Sequence, residues 1–276
     1  MKTWFITGCS TGFGKALAQQ VLKAGDKAVI TARNTDTLAE LAETYPDTSL
    51  AVPLDVTNTD QIASAVEAAH EHFGAIDVLV NNAGYGYRAA VEEGEHDAID
   101  KMFATNYFGA VHVTNAVLPV MREQGNGVII GISSIAAQLS APGSGYYAAS
   151  KAALESTFEA LRQEVAPLGI RVSLVQPGPF RTDFFSRSLQ QSATAMETYA
   201  DTAGKRRKER DPVVQDQPGD PQRAAAAIMQ LAELENPPMR LVLGKIANRT
   251  AEKELTQRLD DLRDWAHLGL DTDFTD

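Results

Sequence analysis

The chain alternates short aliphatic runs with longer helical patterns, and no other feature restricts its fold so strongly. The runs occupy residues 4–7, 27–32, 50–54, 78–81, 128–132, 172–176 and 241–243. Helical patterns of about 12 to 25 residues lie between them. Runs this apolar, without polar alternation, have no face to turn to water. They predict a parallel sheet covered by helices on both faces. A chain of 276 residues suits one such domain, since chains near this size bury about three-quarters of their unfolded surface. Ligands of these folds bind beyond the carboxyl ends of the strands. Gly8, Arg33, Asp55, Asn81, Ser134 and Pro177 all fall at or just after run ends, so they are expected to converge.

The first run opens directly into Gly8-Cys9-Ser10-Thr11-Gly12-Phe13-Gly14 and then an alanine- and leucine-rich helical pattern over 15–23. Glycines there let the backbone turn tightly and approach a diphosphate, and the new helix aims free N–H groups and its positive dipole end at that anion. The spacing is Thr-Gly-x-x-x-Gly-x-Gly. The second run ends in Ala32-Arg33, where dinucleotide folds choose between a ribose hydroxyl and a 2′-phosphate. An acid would accept from the hydroxyls; Arg33 instead offers a planar cationic fork suited to phosphate. NADP(H) is therefore expected over NAD(H), with Ser10 as a second phosphate contact. The plainer alternative for Arg33 is an exposed charge at a strand end.

Tyr147 and Lys151, four apart on an apolar helical pattern, share one face. A free tyrosine has a pKa of about 10 and exchanges protons poorly at neutral pH unless a cation stabilises its phenolate. Lys151 is placed to be that cation. Ser134, thirteen residues before Tyr147, is placed to hold a carbonyl or alcohol oxygen while Tyr147 exchanges a proton with it. Sequence chemistry alone does not separate Ser133 from Ser134. Asn106, within Thr105-Asn106-Tyr107-Phe108-Gly109, taken alone suits a bond to its own helix backbone.

Taken in order, these motifs resemble the short-chain dehydrogenase/reductase family in its single-domain form, from residue 2 to about 245. Thr7 to Gly14 match its glycine turn, Asp55-Val56 its adenine-contacting pair, and Asn81-Asn82-Ala83-Gly84 its Asn-Asn-Ala-Gly element. Asn106, Ser134, Tyr147 and Lys151 match its catalytic tetrad, and Pro177-Gly178 with Thr182 the segment over the nicotinamide. The resemblance implies a single Rossmann-type, doubly wound parallel sheet of about seven strands. It implies hydride transfer between a nicotinamide cofactor and a ketone, aldehyde or alcohol. In that scheme Tyr147 is general acid or base, Ser134 polarises the substrate oxygen, and Lys151 lowers the Tyr147 pKa and binds ribose hydroxyls. Asn106 distorts its helix and holds a water in a proton relay. The resemblance selects Ser134 over Ser133 by spacing, and implies a homodimer or homotetramer built on long helices near 95–121 and 146–166. Asn-Asn-Ala-Gly-Tyr-Gly and Pro-Gly-Pro-Phe-Arg-Thr are similar to members acting on retinoids and steroids.

Between Pro177 and Pro221 the rhythm breaks into a polar stretch, so a substrate-covering insertion is expected over about 183–220. Phe184 and Phe185 would form its inner side, with Tyr85, Tyr87, Gln138 and Leu139 opposite. A C-terminal helical extension is expected over about 245–276. Within it Leu255, Leu259, Leu262 and Trp265 recur at helical spacing, with packing on the parent domain favoured over a second subunit.

The net charge of −11 opposes nucleic-acid and anionic-membrane partners. Lys205-Arg206-Arg207-Lys208 is followed by acids and reads as a solvated helix face. Cys9 is the sole cysteine, which fits packing in a reducing cytoplasm. No cleavable leader is expected, because the first apolar run stops at the glycine turn, and no run approaches the roughly 18 apolar residues of a spanning helix. The five histidines show no metal-ligand spacing, so no metal is expected. Two other classes compete. One is a non-catalytic NADP(H)-binding sensor, which loss of tetrad residues would favour. The other is a sugar-nucleotide epimerase, for which the stretch after Pro221 is short.

Overall fold

The computed structural model describes residues 1–208 and 217–274, without the side chains of Phe185, Ser186 and Lys208. β1 (Thr3–Ile6), all four residues buried, pairs in parallel with β2 (Lys27–Ala32) on one side and β4 (Val78–Asn81) on the other. β3 (Ser49–Pro53) extends the sheet beyond β2, while β6 (Gly127–Ile132), β7 (Ile170–Pro177) and β9 (Arg240–Leu243) extend it beyond β4. The order is β3-β2-β1-β4-β6-β7-β9, parallel throughout, the seven-stranded α/β sheet expected. β5 (Gly86–Arg88) and β8 (Leu189–Gln191) form a separate parallel pair.

Strand period decides which layer each residue meets. Trp4, Ile6, Ile30, Val80 and Ile130 pack with Leu17 and Val21 of α1 (Gly12–Lys23) and Ile228 and Leu231 of α9 (Pro221–Glu233). Phe5, Val29, Leu79 and Ile129 pack on the opposite layer. There they meet Ile62 of α3 (Thr59–Phe73), Val113 and Val117 of α5 (Ala110–Gln124), and Leu154 and Phe158 of α6 (Gly145–Val165). With β2 and β4 flanking β1, the connections after β1 and β4 diverge and open a crevice at the carboxyl edge.

One long helix is interrupted where the resemblance implied a distortion at Asn106, and one element differs from the sequence reading. The long helix near 95–121 is α4 (His96–Phe103), a π-helical turn over Ala104–Gly109, and then α5. Gly109 lies so close to Val56 that a Cβ there would come 2.7 Å from the Val56 Cγ2, and Asn106 bonds away from its own helix. At the C-terminus, α10 (Lys245–Asp264) buries Ala247 and Ala251 against the domain, and Arg258 donates to the Gln138 carbonyl. Leu255, Leu259, Leu262 and Trp265 stand 43–69% exposed. The expected packing of this stripe on the parent domain is therefore corrected: only the first two turns of α10 reach the core. Among the described residues no helix is long and apolar enough to cross a membrane, and none offers three grouped metal-ligating side chains.

Candidate active site

The glycine turn is held from the neighbouring strand. Asn82 Nδ2 donates to the Thr7 and Gly8 carbonyls at 2.8 and 3.0 Å, while the Thr7 hydroxyl accepts from the Asn82 and Ala83 N–H groups at 2.9 and 3.0 Å. Gly8 has φ +73°, the left-handed region. A Cβ at Gly14 would lie 2.2 Å from the Gly8 carbonyl oxygen, so α1 starts flush against the turn. Thr11 caps α1 without a side-chain bond, leaving the first-turn N–H groups and the positive helix end facing outward. Cys9 is buried, and burial pushes its thiol up to about 12 against the Thr31 backbone contact, so it stays a neutral packing residue.

A cavity of about 510 Å³ runs from this turn to the end of β6. Gly8, Gly12 and Phe13 line it with Asn82, Gly84, Tyr85, Ser134, Tyr147, Lys151, Pro177, Gly178 and Thr182. The segment after β7 arches back toward the turn: Phe180 meets the Phe13 ring edge-on at 5.0 Å, and Thr182 sits above Gly12. Residues from opposite ends of the chain thus enclose one space. It has the shape an extended dinucleotide needs, with a close-approach cradle at one end and ionisable groups at the other.

Ser133 and Ser134, indistinguishable by type, separate by direction. The Ser133 hydroxyl donates to the Glu155 carboxylate at 2.5 Å inside a buried network. Gln176 Nε2 reaches the same Glu155 oxygen at 2.8 Å and Arg240 Nε the other at 2.7 Å. Ser134 Oγ accepts from the Ala136 N–H at 3.1 Å and lines the same cavity as Tyr147, close enough to draw the phenol's proton affinity down. Burial pushes Tyr147 up to about 12, with the Ser134 contact pulling the other way. Lys151 Nζ donates to the Ile132 carbonyl at 2.8 Å. Burial pushes its ammonium down to about 8 against the attraction of Glu155. Burial is the larger influence on both groups.

Asn106 does not bond its own helix. Its Oδ1 accepts from the Tyr85 N–H at 2.9 Å, and its Nδ2 donates to the Tyr85 carbonyl at 2.8 Å and to Ser150 Oγ at 3.2 Å. Gly84 fits between Asn106 and Lys151; a Cβ there would stand 3.0 Å from the Asn106 Oδ1 and 3.4 Å from the Lys151 Nζ. Single π-turns of this kind occur often at functional sites.

Other expected residues lie apart from the cavity wall. Arg33 is exposed at the end of β2, and Ser10 is part-exposed in the turn. Asp55 Oδ1 accepts from the Thr57 N–H and hydroxyl at 2.9 and 2.7 Å. Burial opposes its ionisation, but these bonds and the Arg33 charge prevail and hold the carboxyl below its usual range. Val56 is buried against Gly109. Gln138 does not reach the cavity: it is buried, its Nε2 donating to Gln176 Oε1 at 2.6 Å, and Leu139 lines the wall in its place. The Glu155 network, a polar sink, turns the amide inward. Phe184 faces Tyr147 with ring centroids 5.8 Å apart; the side chain of Phe185 lies outside the described residues. Tyr87 lines the cavity, whereas the Tyr199 hydroxyl donates to Glu92.

Sequence reasoning missed a residue pair. Arg206 lines the cavity, and Arg207 pairs with the buried Glu93 at 3.1 Å, which corrects the reading of 205–208 as a solvated face at these two residues, while Lys205 is exposed. Two adjacent cations on a six-residue helix carry no signal of which one turns inward.

The short chain dehydrogenase family profile matches residues 2–193. An oxidoreductase of Botryotinia fuckeliana, BOA17, is 36% identical over 270 residues, covering 98% of each chain. A short-chain dehydrogenase from Streptomyces avermitilis superposes with a TM-score of 0.92 at 41% identity, over 99% of both chains. Two further neighbours were solved with nucleotides. An alcohol dehydrogenase from Thermococcus sibiricus, holding 5-hydroxy-NADP, has a TM-score of 0.72 and 25% identity over 88% of this chain and 96% of its own. A Burkholderia phymatum short-chain dehydrogenase/reductase, holding NAD, has a TM-score of 0.78 and 25% identity over 91% of this chain and 92% of its own. With the sheet, the glycine cradle and the sequence similarity in agreement, the chain belongs to the short-chain dehydrogenase family of oxidoreductases.

Proposed function

We propose that this chain is one catalytic domain that interconverts a ketone or aldehyde with an alcohol, with NADP(H) preferred over NAD(H). The observation that carries the reading is the meeting of Ser134, Tyr147 and Lys151 in the cavity that begins at the glycine cradle. The cradle fits a dinucleotide, because Gly8 and Gly12, which line the cavity with positive φ, bring bare backbone to it at the N-terminus of α1. Gly8, Ser10, Gly12, Phe13 and Gly14 would hold the diphosphate region, and Arg33 a 2′-phosphate. Asp55 and Val56 would flank the adenine, with Asn82, Ala83 and Gly84 beneath the sugar. Tyr147 and Lys151 would meet the nicotinamide ribose, and Pro177, Gly178 and Thr182 would close over the ring. When bound, the nicotinamide supplies or accepts the hydride.

The rest is done by the chain. Ser134 orients the substrate oxygen by hydrogen bonding, and the Tyr147 hydroxyl, 13 residues on, transfers the proton to that oxygen in reduction. Burial keeps Tyr147 protonated at neutral pH, the form from which a general acid donates. Asn106, tied to Tyr85 and Ser150, and Lys151 form the inner end of a proton path. The test follows absorbance at 340 nm with NADPH and with NADH across carbonyl compounds from small aldehydes to steroid ketones. Tyr147→Phe should lower turnover by about 10² or more while NADPH still binds. A variant that stays active would overturn the assignment. Tight nucleotide binding without turnover of any carbonyl or alcohol would favour the sensor.

A further inference from the structure

The substrate end of the cavity carries charge of one sign. Among the described residues its ionisable lining includes Arg88, Lys151 and Arg206 and no Asp or Glu, in a chain whose net charge is −11. Lys151 has the Glu155 carboxylate beside it, so the cation that requires an explanation is Arg206, because leaving a buried charged donor unpaired is costly.

The two arginines of α8 (Ala203–Lys208) divide their tasks. Arg207 Nη2 pairs with Glu93 at 3.1 Å and donates to the Thr194 carbonyl at 2.6 Å. Glu93, buried, is itself fixed by the Ala90 and Met196 N–H groups at 3.0 and 2.7 Å. From the end of β5, Arg88 Nη1 donates to the Arg206 carbonyl at 3.1 Å. These bonds clamp α8 from both sides and present Arg206 to the cavity. Its Nε is buried and has no hydrogen-bond partner among the described residues. Around it the wall is aromatic and aliphatic, with Tyr85, Tyr87, Phe184 and Leu189.

We propose that Arg206, positioned by Arg88, forms an anion-binding end of the substrate cavity, so that the substrate is a carbonyl compound or alcohol bearing a carboxylate remote from the reacting carbon. The planar guanidinium matches a carboxylate with paired N–H bonds, and the apolar wall takes the intervening carbon chain. This deepens the oxidoreductase reading and rests on it.

The experiment measures kcat/KM with NADPH for methyl ketones of graded chain length ending in carboxylate, in carboxamide or in trimethylammonium. At the best length the carboxylate should exceed the carboxamide by about tenfold or more, and the trimethylammonium compound should be poorest. Arg206→Gln should bring the carboxylate-to-carboxamide ratio close to one, and Arg206→Lys should keep part of the preference. Circular dichroism melts confirm that both variants fold. Equal use of carboxylate and carboxamide, or preference for the cation, overturns the proposal. So does a Gln variant that weakens NADPH binding yet keeps the carboxylate preference, since the arginine then serves the nucleotide.

Calorimetric titration of the NADP-loaded protein with unreactive alkyl carboxylates separates the two readings. Binding that needs Arg206, with no turnover of any ketone, supports the anion site and sinks the reductase assignment. No carboxylate binding sinks the anion site whatever the turnover.

Discussion

Ser133 and Ser134 show how much of this site is decided one side chain at a time. Adjacent residues of a strand end point to opposite sides, so one hydroxyl enters the Glu155 network and the other meets Tyr147. The same network leaves Lys151 buried beside a carboxylate with its ammonium near 8. At a pH well below 8, folded and unfolded chains both carry this proton and the full cost of the buried charge stands. Between about 8 and the free value of about 10.4 the folded chain has released the proton and the unfolded chain still binds it. Stability therefore rises with pH in that window. Lys151→Met removes the rise. Compared with the cofactor-free wild type, it should be relatively more stable at pH 7 than at pH 10 by about 2 kcal/mol, read from urea melts. The same difference at both pH values would show that the ammonium is solvated. Arg33, exposed at its strand end, belongs to the same scale. Arg33→Asp should weaken NADPH at least tenfold more than NADH in fluorescence titrations, since a charge-assisted phosphate bond contributes about 1.5–3 kcal/mol; equal losses would remove Arg33 from the phosphate site.

At the scale of elements, the turn from β1 into α1 works because three segments interlock. Asn82 holds the Thr7 and Gly8 carbonyls from β4, and α1 approaches so closely that only glycine fits at 14. Gly14→Ala forces a shift of backbone rather than of a flexible side chain. It should cost about 1–3 kcal/mol in folding and abolish tight nucleotide binding, as measured by thermal melts and by NADPH fluorescence. A variant that bound normally would show that the turn adapts. The π-turn between α4 and α5 has the same logic. It displaces Asn106 from its own helix ladder so that both ends of its amide engage Tyr85, and this braces the loop after β4 next to Lys151.

At the scale of the molecule, the α10 stripe is the part of the apolar pattern that finds no core. Leu262 and Trp265 are 69% and 63% exposed. If they stay so in solution, Leu262→Gln with Trp265→Ser should change the unfolding free energy by no more than about 0.5 kcal/mol in urea melts. A larger loss that grows with protein concentration would show the face covered by a second copy.

The sequence by itself determined the sheet, the glycine turn and the Tyr147–Lys151 pair, because strand runs, glycine spacing and an i to i+4 pair are local patterns that burial merely has to satisfy; between Ser133 and Ser134 it was the family resemblance, and then the fold, that chose. Tertiary structure alone decided which way each polar side chain turned. Gln138 turned inward because Gln176 and Glu155 lay there. Arg206 faced the cavity because Arg207 was taken by Glu93. Burial set Tyr147 and Lys151 away from their ordinary proton affinities. Those outcomes depend on partners tens of residues away in the chain, and the cost of leaving a buried polar group unpaired has no counterpart in the local pattern.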